Sequence, residues 1–410
     1  MSLDPDKDML ALPAEAKLGR PKMPSEPPCY SDGGWLQWPD DEAYSFQFMR
    51  ILGAAQEGAS TISECFSAAR LITPGDGESW YEAWKSAADI NRARGDEAHA
   101  RGGVSAATGN WLRASNYYRC AELFMDEKDP RREFLLRSMR RCSRLYLEHI
   151  RPRGEVVRIP YPGGGSLEGY FIIAPGARPL MPVVVCFGGV DLCKDELLCT
   201  MRRSAAGNGL SLLLIDLAAD EATDENRRSS RIEASAGRWV DYLLARGDID
   251  PSRIALYGDG LGSSLATRIA SRDHRFAAAV CDGGLWERHE LIFAIGRIGR
   301  DQATAGERVW MAGVVNSAAM LNCPSLMTIG QHDYIAVEHA IDVHESCKRS
   351  GVPLDLRVFS TEETAASPGH IDNPTLAKEF VFDWLRRKLG SAERIVASVD
   401  VEDACDCDGA

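Results

Sequence analysis

Residues 253–266, Arg-Ile-Ala-Leu-Tyr-Gly-Asp-Gly-Leu-Gly-Ser-Ser-Leu-Ala, set Gly258, Gly260 and Gly262 between an apolar run and a helix-like stretch. Strand, sharp turn and helix start form the frame that presents an attacking hydroxyl on a strained backbone, G-x-S-x-G. The central position here is Gly260, which has no side chain. Two other residues are of types that move protons near neutral pH. Asp333 ends the run Met327-Thr-Ile-Gly-Gln-His-Asp, and His370 lies in Ser367-Pro-Gly-His-Ile-Asp-Asn-Pro374. A carboxylate that holds one imidazole nitrogen sets its tautomer and stabilises the imidazolium, leaving the other nitrogen to accept a proton. That proton could come from a serine, from a bound water, or from an acidic C–H or O–H of a substrate. Only the first source needs a side chain at position 260.

Neighbouring residues offer weaker substitutes for the missing hydroxyl. Ser263 lies one helical turn past Gly260, about 5 Å along the axis, and with Ser264 reads as a helix-start serine satisfying a free amide. Asp259, as a carboxylate nucleophile or second acid, is expected to point away from the pocket. His332, beside Asp333, is a second choice of base. The glycines make neither a phosphate loop, since no lysine follows them, nor a dinucleotide site, since this is not the first strand of a sheet. No cofactor is expected. Cys405-Asp-Cys407 supplies two thiols without a second pair, so no metal site is expected either.

The elements that must hold these residues follow from periodicity. Apolar spacing near 3.6 predicts helices over 41–54, 61–71, 79–94, 104–125 and 130–149. After Pro152 the pattern changes to short apolar strands at 156–159, 167–173, 183–187, 212–217, 254–257, 277–281, 326–330 and 354–359. Helices near 196–206, 231–245, 264–271, 337–350 and 375–389 separate most of them, which implies a mainly parallel sheet covered on both faces. The expected organisation is therefore α/β: a mobile leader over 1–34, a helical cap domain over 35–150, a sheet domain over 151–390 with a lid insertion near 284–320, and an acidic tail over 391–410.

The net charge of −13 over 410 residues argues against nucleic acid or an anionic membrane as the main partner. No run of eighteen apolar residues suggests a membrane span, and the polar N-terminal residues do not resemble a signal peptide. Cysteines scattered through apolar elements suit reduced, buried thiols, so a cytoplasmic protein acting on a small molecule is expected.

Three segments carry a family resemblance: Gly77-Glu-Ser-Trp-Tyr-Glu-Ala-Trp84 with Leu112-Arg-Ala-Ser-Asn-Tyr-Tyr-Arg119, then Phe187-Gly-Gly-Val-Asp-Leu-Cys-Lys-Asp-Glu196, then the glycine turn. Together they resemble the α/β-hydrolase group of 2,6-dihydroxypseudooxynicotine hydrolase, the FrsA-type esterases and the fungal polyketide-shortening hydrolases. The resemblance implies an α/β-hydrolase fold with an N-terminal helical cap and a dimeric state. It implies the chain order nucleophile, acid, histidine, which puts Gly260, Asp333 and His370 at the catalytic positions. Amides of Gly188, Gly189, Val190 and Leu261 would form the oxyanion hole. Asp191 and Lys194 would tie that loop to the cap by a salt bridge. Arg113, Tyr117 and Tyr118 would line the substrate entrance or pack as a helix face, and Glu287 or His289 would contact the substrate.

Three activities fit these residues: hydrolysis of an ester or of a C–C bond beside a ketone through a water, a non-hydrolytic proton transfer such as cyclisation, isomerisation or decarboxylation, and ligand binding without chemistry.

Overall fold

The computed structural model describes residues 30–31, 34–126, 128–161, 165–188, 192–217, 225–260, 262–284, 318–333 and 337–390. Its first part is helical: α1 (Glu42–Gly53), α2 (Ile62–Ala69), α3 (Gly77–Ala100), α4 (Val104–Glu122) and α5 (Arg131–His149). Short polar residues start three of these helices by accepting a free first-turn amide, Asp41 from Tyr44, Thr61 from Glu64 and Asp76 from Glu78. Trp80 and Trp84 lie one turn apart on α3, and Trp111 and Tyr118 two turns apart on α4, so each pair shares a helix face. With Phe48 they close a buried aromatic core.

The second part alternates strand and helix: β1 (Glu155–Tyr161), β2 (Gly165–Ile172), β3 (Met181–Phe187), α6 (Lys194–Gly207), β4 (Ser211–Ile215), α7 (Glu225–Leu244), β5 (Ile249–Asp259), α8 (Gly262–Arg272), β6 (Ala278–Asp282), β7 (Ser325–Gly330), α9 (Val337–Arg349), β8 (Leu354–Phe359) and α10 (Pro374–Leu389). Among the described residues these strands form one sheet in the order β8-β7-β6-β5-β3-β4-β2-β1. β2 runs antiparallel to β1 and β4, and the other pairs are parallel. The period of two along β5 sends Ile254 and Leu256 into one apolar layer and Ala255 and Tyr257 into the other. A strand buried on both sides must be apolar throughout, which is why β3, β4 and β6 read as continuous apolar runs.

Register does the positioning. β5 and β6 pair from Ala255 opposite Ala278 to Asp259 opposite Asp282, so two carboxylates end adjacent strands at the same level. α7 begins earlier than its apolar spacing predicts, at Glu225. Most of the expected lid lies outside the described residues, as do the leader and the tail. Among the described residues no helix is long and apolar enough to cross a membrane.

The helical part is joined to the sheet part through Glu196 in the first turn of α6. Its carboxylate accepts from the Cys193 amide at 3.0 Å and meets Arg119 of α4 at 3.1 Å and Arg50 of α1 at 3.4 Å. Burial pushes the Glu196 carboxyl up, but the charges of Arg119 and Arg50 outweigh it and hold it below the usual range. Lys194, expected to make this tie, turns instead to Asp216 at 2.6 Å, a residue just past β4; Asp191 lies outside the described residues. Removing one partner of a buried pair strands the other charge. Arg119→Met is expected to cost about 3 kcal/mol in urea unfolding; a loss below about 1 kcal/mol would show that Arg50 alone suffices.

Candidate active site

The turn after β5 is left-handed at its centre and open at the Cβ position. Gly260 has φ +57°, and a Cβ built on it meets no atom within 4 Å. Its N–H donates to the Asp282 carbonyl at 2.9 Å, and its carbonyl accepts from the Ser263 amide at 3.0 Å. The flanking glycines are there for clearance. A Cβ on Gly258 would stand 2.2 Å from the Gly262 carbonyl oxygen, and one on Gly262 would stand 2.8 Å from that of Phe187. The second contact brings the turn against the end of β3, beside Gly188. Gly188 is buried, whereas Gly189, Val190 and Leu261 lie outside the described residues.

Ser263 is fully buried and donates to the Gly284 carbonyl at 2.7 Å. Contrary to the expectation that it satisfies a free amide, its hydroxyl is engaged as a donor to a carbonyl. Ser264 is buried as well.

His370 sits in the loop between β8 and α10, where Asn373 accepts from the Leu376 amide and Pro374 opens the helix. Its backbone has φ +55°, a left-handed conformation unusual for a residue with a side chain. The ring is 2% exposed and packs edge-on against Phe359 at 4.9 Å. Nδ1 stands 2.6 Å from the Ala365 carbonyl oxygen, so that nitrogen carries a hydrogen and donates. Nε2 stands 3.1 Å from Asp282 Oδ1, an ion-pair contact whose line departs from hydrogen-bond geometry.

The carboxylate in contact with Nε2 is Asp282, a residue that no sequence motif points to. Asp333, expected in that role, lies past β7 and adds its negative charge to the surroundings of His370. Among the described residues, Nδ1 meets the Ala365 carbonyl and Nε2 meets Asp282. The signal that could have found Asp282 is a carboxylate closing an otherwise apolar strand, one strand over from the glycine turn.

Asp282 is 3% exposed and heavily partnered. It accepts from Thr328 Oγ1 at 2.6 Å, from Lys378 Nζ at 3.0 Å and from the Tyr257 hydroxyl. Lys378, on α10, also reaches the Tyr257 hydroxyl at 2.6 Å and Asp259 Oδ2 at 2.8 Å. Asp259 is thus held by an ammonium.

Charge counting gives the protonation state. Two carboxylates face one ammonium, so a neutral imidazole would leave one buried negative charge uncompensated, and would bring the Nε2 lone pair within 3.1 Å of a carboxylate oxygen. That balance favours the protonated ring. Burial pulls its pKa down, but the contact and charge of Asp282, the Ala365 carbonyl and the charge of Asp333 outweigh it, and the net direction is up. For Asp282 burial pushes upward, and Lys378, His370 and Thr328 hold it well below the usual carboxylate range. Burial and the two aspartates push the Tyr257 phenol up, so it remains a donor.

For the tyrosines of the helical part, the structure bears on the choice between entrance and packed face. Tyr117 is buried, donates to Glu64 at 2.9 Å and accepts from the Thr61 amide; Tyr118 donates to Asp89 at 2.6 Å. Arg113 donates to Asn91 at 2.9 Å. All three are tied to neighbouring helices of the helical part by these polar contacts, which suits a packed face. His332 contacts Thr361 at the surface. Glu287 and His289 lie outside the described residues.

Comparison with known proteins now bears on this geometry. Residues 72–295 match the family model described as esterase FrsA-like, and residues 237–392 match that of the prolyl oligopeptidase family. Hydrolase LUC6 of a Fusarium species is 31% identical over 256 residues, 59% of this chain and 61% of that protein. Hydrolyase poxO of Penicillium oxalicum is 32% identical over 265 residues, 61% of this chain and 62% of that protein. The chain thus spans about three fifths of the length of these curated relatives. Among solved structures, that of 2,6-dihydroxy-pseudo-oxynicotine hydrolase superposes with a TM-score of 0.66 at 19% identity, covering 82% of this chain and 95% of that one. The fold is that of an α/β-hydrolase with an N-terminal helical region.

Proposed function

The chain belongs to the esterase FrsA-like family, and from that premise we propose that it hydrolyses a small carbonyl compound, at an ester or at a C–C bond beside a ketone, without a serine nucleophile. One observation carries the reading: a turn with φ +57° and open space at its Cβ position lies next to Asp282, the carboxylate that pairs with a buried histidine. The main-chain carbonyl of Asp282 holds the Gly260 amide while its side chain meets His370, so one residue ties the empty position to the base.

In the proposed reaction His370 first loses its proton to solvent. The neutral ring, its Nε2 turned from Asp282 toward a water seated above Gly260, then takes a proton from that water, and the water oxygen attacks the carbonyl carbon. The bond to the leaving alkoxide or enolate breaks, and that group leaves with the proton from His370. Amides of the 188–190 segment and of Leu261 would carry the developing oxyanion. Asp333 adds a second negative charge that favours the imidazolium formed when the water is deprotonated.

The absent side chain also favours a second reading, in which the same histidine moves a proton on the substrate and no water is incorporated. The experiment is turnover of p-nitrophenyl acetate and of an aryl 1,3-diketone in ¹⁸O water, with fluorophosphonate labelling followed by mass spectrometry. Hydrolysis is expected to put ¹⁸O into the acid product with no labelled protein. A product of unchanged mass without ¹⁸O would move the assignment to proton transfer, and a labelled serine would overturn the serine-free mechanism.

A further inference from the structure

Lys378 touches neither the glycine turn's open side nor the imidazole. Yet it is the one cation, among the described residues, that contacts both carboxylates beneath them. It lies on the inner face of α10, 8% exposed, with Nζ 3.0 Å from Asp282 Oδ2, 2.8 Å from Asp259 Oδ2 and 2.6 Å from the Tyr257 hydroxyl. A lysine used only to anchor α10 could pair with one acid at the surface. This one is buried between two acids, one of which touches the imidazole through its other oxygen. Asp282 is thus a shared wire: its Oδ1 faces His370 and its Oδ2 faces Lys378.

We propose that Lys378 is a positioning residue that sets the basicity of His370 through Asp282, with Asp259 dividing the ammonium's charge and so acting as the counterweight. The proposal rests on the reading of His370 as the base. Its logic is electrostatic sharing at short range in a poorly solvated site. The more of the ammonium's charge that is spent on Asp259, the less is left to neutralise Asp282, and the more strongly Asp282 retains a proton on the imidazole. The groups around the pair are Asp282 from β6, Asp333 from beyond β7, Asp259 and Tyr257 from β5, and Lys378 from α10. Farther out, Cys186 of β3 and Glu57 of the helical part feel the ammonium. Cys186 is a thiol pushed up by burial, and Glu57 is a carboxyl raised by burial against the pull of nearby cations, so neither reverses the balance.

Two substitutions then have opposite signs. Asp259→Asn is nearly isosteric and releases the ammonium to Asp282, so the His370 titration midpoint falls. Lys378→Met leaves two carboxylates facing one imidazole, so the midpoint rises. Lys378→Arg keeps the charge and stays near the parent.

The experiment is NMR titration of the ¹⁵N-labelled imidazole of His370 in the full chain, wild type against the three variants, with the pH–rate profile measured in parallel. A fall in Asp259→Asn with a parallel alkaline-to-acid movement of the rate profile supports the proposal, and a rise in Lys378→Met completes it. If Lys378→Met does not fold, the Asp259→Asn and Lys378→Arg pair still decides. No shift in Asp259→Asn, or shifts of the same sign in Asp259→Asn and Lys378→Met, overturns it. Because the midpoint is read from the ring itself, shifts that follow the proposal while the rate ignores them would instead remove His370 from the role of base.

Discussion

His370→Ala is expected to lower kcat/KM by about 10²–10⁴-fold, the share that a positioned general base commonly contributes. The effect should fall on kcat, because the ring is buried against Asp282 and Ala365 and offers little surface for substrate binding. The pH dependence makes the test sharper. The folded-state pKa of His370 is raised, so the neutral, proton-accepting form grows only as pH climbs beyond the ordinary imidazole value of about 6.5. Wild-type activity should therefore rise with pH on the alkaline side of that value, and the rise should vanish in His370→Ala.

Stability runs the other way. A raised histidine contributes stability that is complete below its unfolded pKa and is lost as pH rises through the folded one. Asp282 is depressed, so its contribution is present above about pH 3.9 and is lost on acidification through its folded value. The ion pair thus holds the fold most firmly in mildly acidic solution, where the enzyme should work least. Activity in His370→Ala within threefold of wild type would remove the histidine from the mechanism.

Gly260→Ser is the second large effect. Space for the side chain exists, since no atom lies within 4 Å of the Cβ position, but φ +57° strains any residue with a Cβ. A stability loss of about 1–3 kcal/mol is expected in denaturant unfolding. In return the hydroxyl would stand on a turn whose amide and carbonyl are already fixed by Asp282 and Ser263. The variant should react with a fluorophosphonate at residue 260, and wild type should not. Labelling would establish that the turn still presents a side chain toward an intact base. Failure to label in a folded variant would mean that His370 stays committed to Asp282 when a hydroxyl is offered.

Much of this architecture could be read from residue order. The strand runs and the glycine turn stand out because a strand buried on both faces must be apolar throughout, and because a Cβ at Gly262 would lie 2.8 Å from the Phe187 carbonyl oxygen. His370 stood out because Pro374 marks the start of the last helix just after it. What escaped was pairing across the sheet. Whether Asp282 or Asp333 meets the imidazole depends on strand register and on loop length, neither of which any local pattern encodes. Tyr117 and Tyr118 were ambiguous for a related reason: an aromatic with a polar tip suits an entrance or a core, and only the positions of Glu64 and Asp89 decide. The Arg119–Glu196 tie was half visible, as an acid three residues into α6, but its cationic partners come from two separate helices.

That tie has a bearing on how the chain assembles. The helices from 42 to 149 are built largely from neighbours in sequence, whereas the sheet order places β5 against β3 and sends the final strands to one edge. Local contacts form quickly and distant ones slowly. The helical part can be substantially formed while the sheet is still being closed, with Arg50 and Arg119 waiting for Glu196. A chain stalled at that stage would carry exposed arginines and an undocked apolar face, the species that a chaperone or a protease meets first.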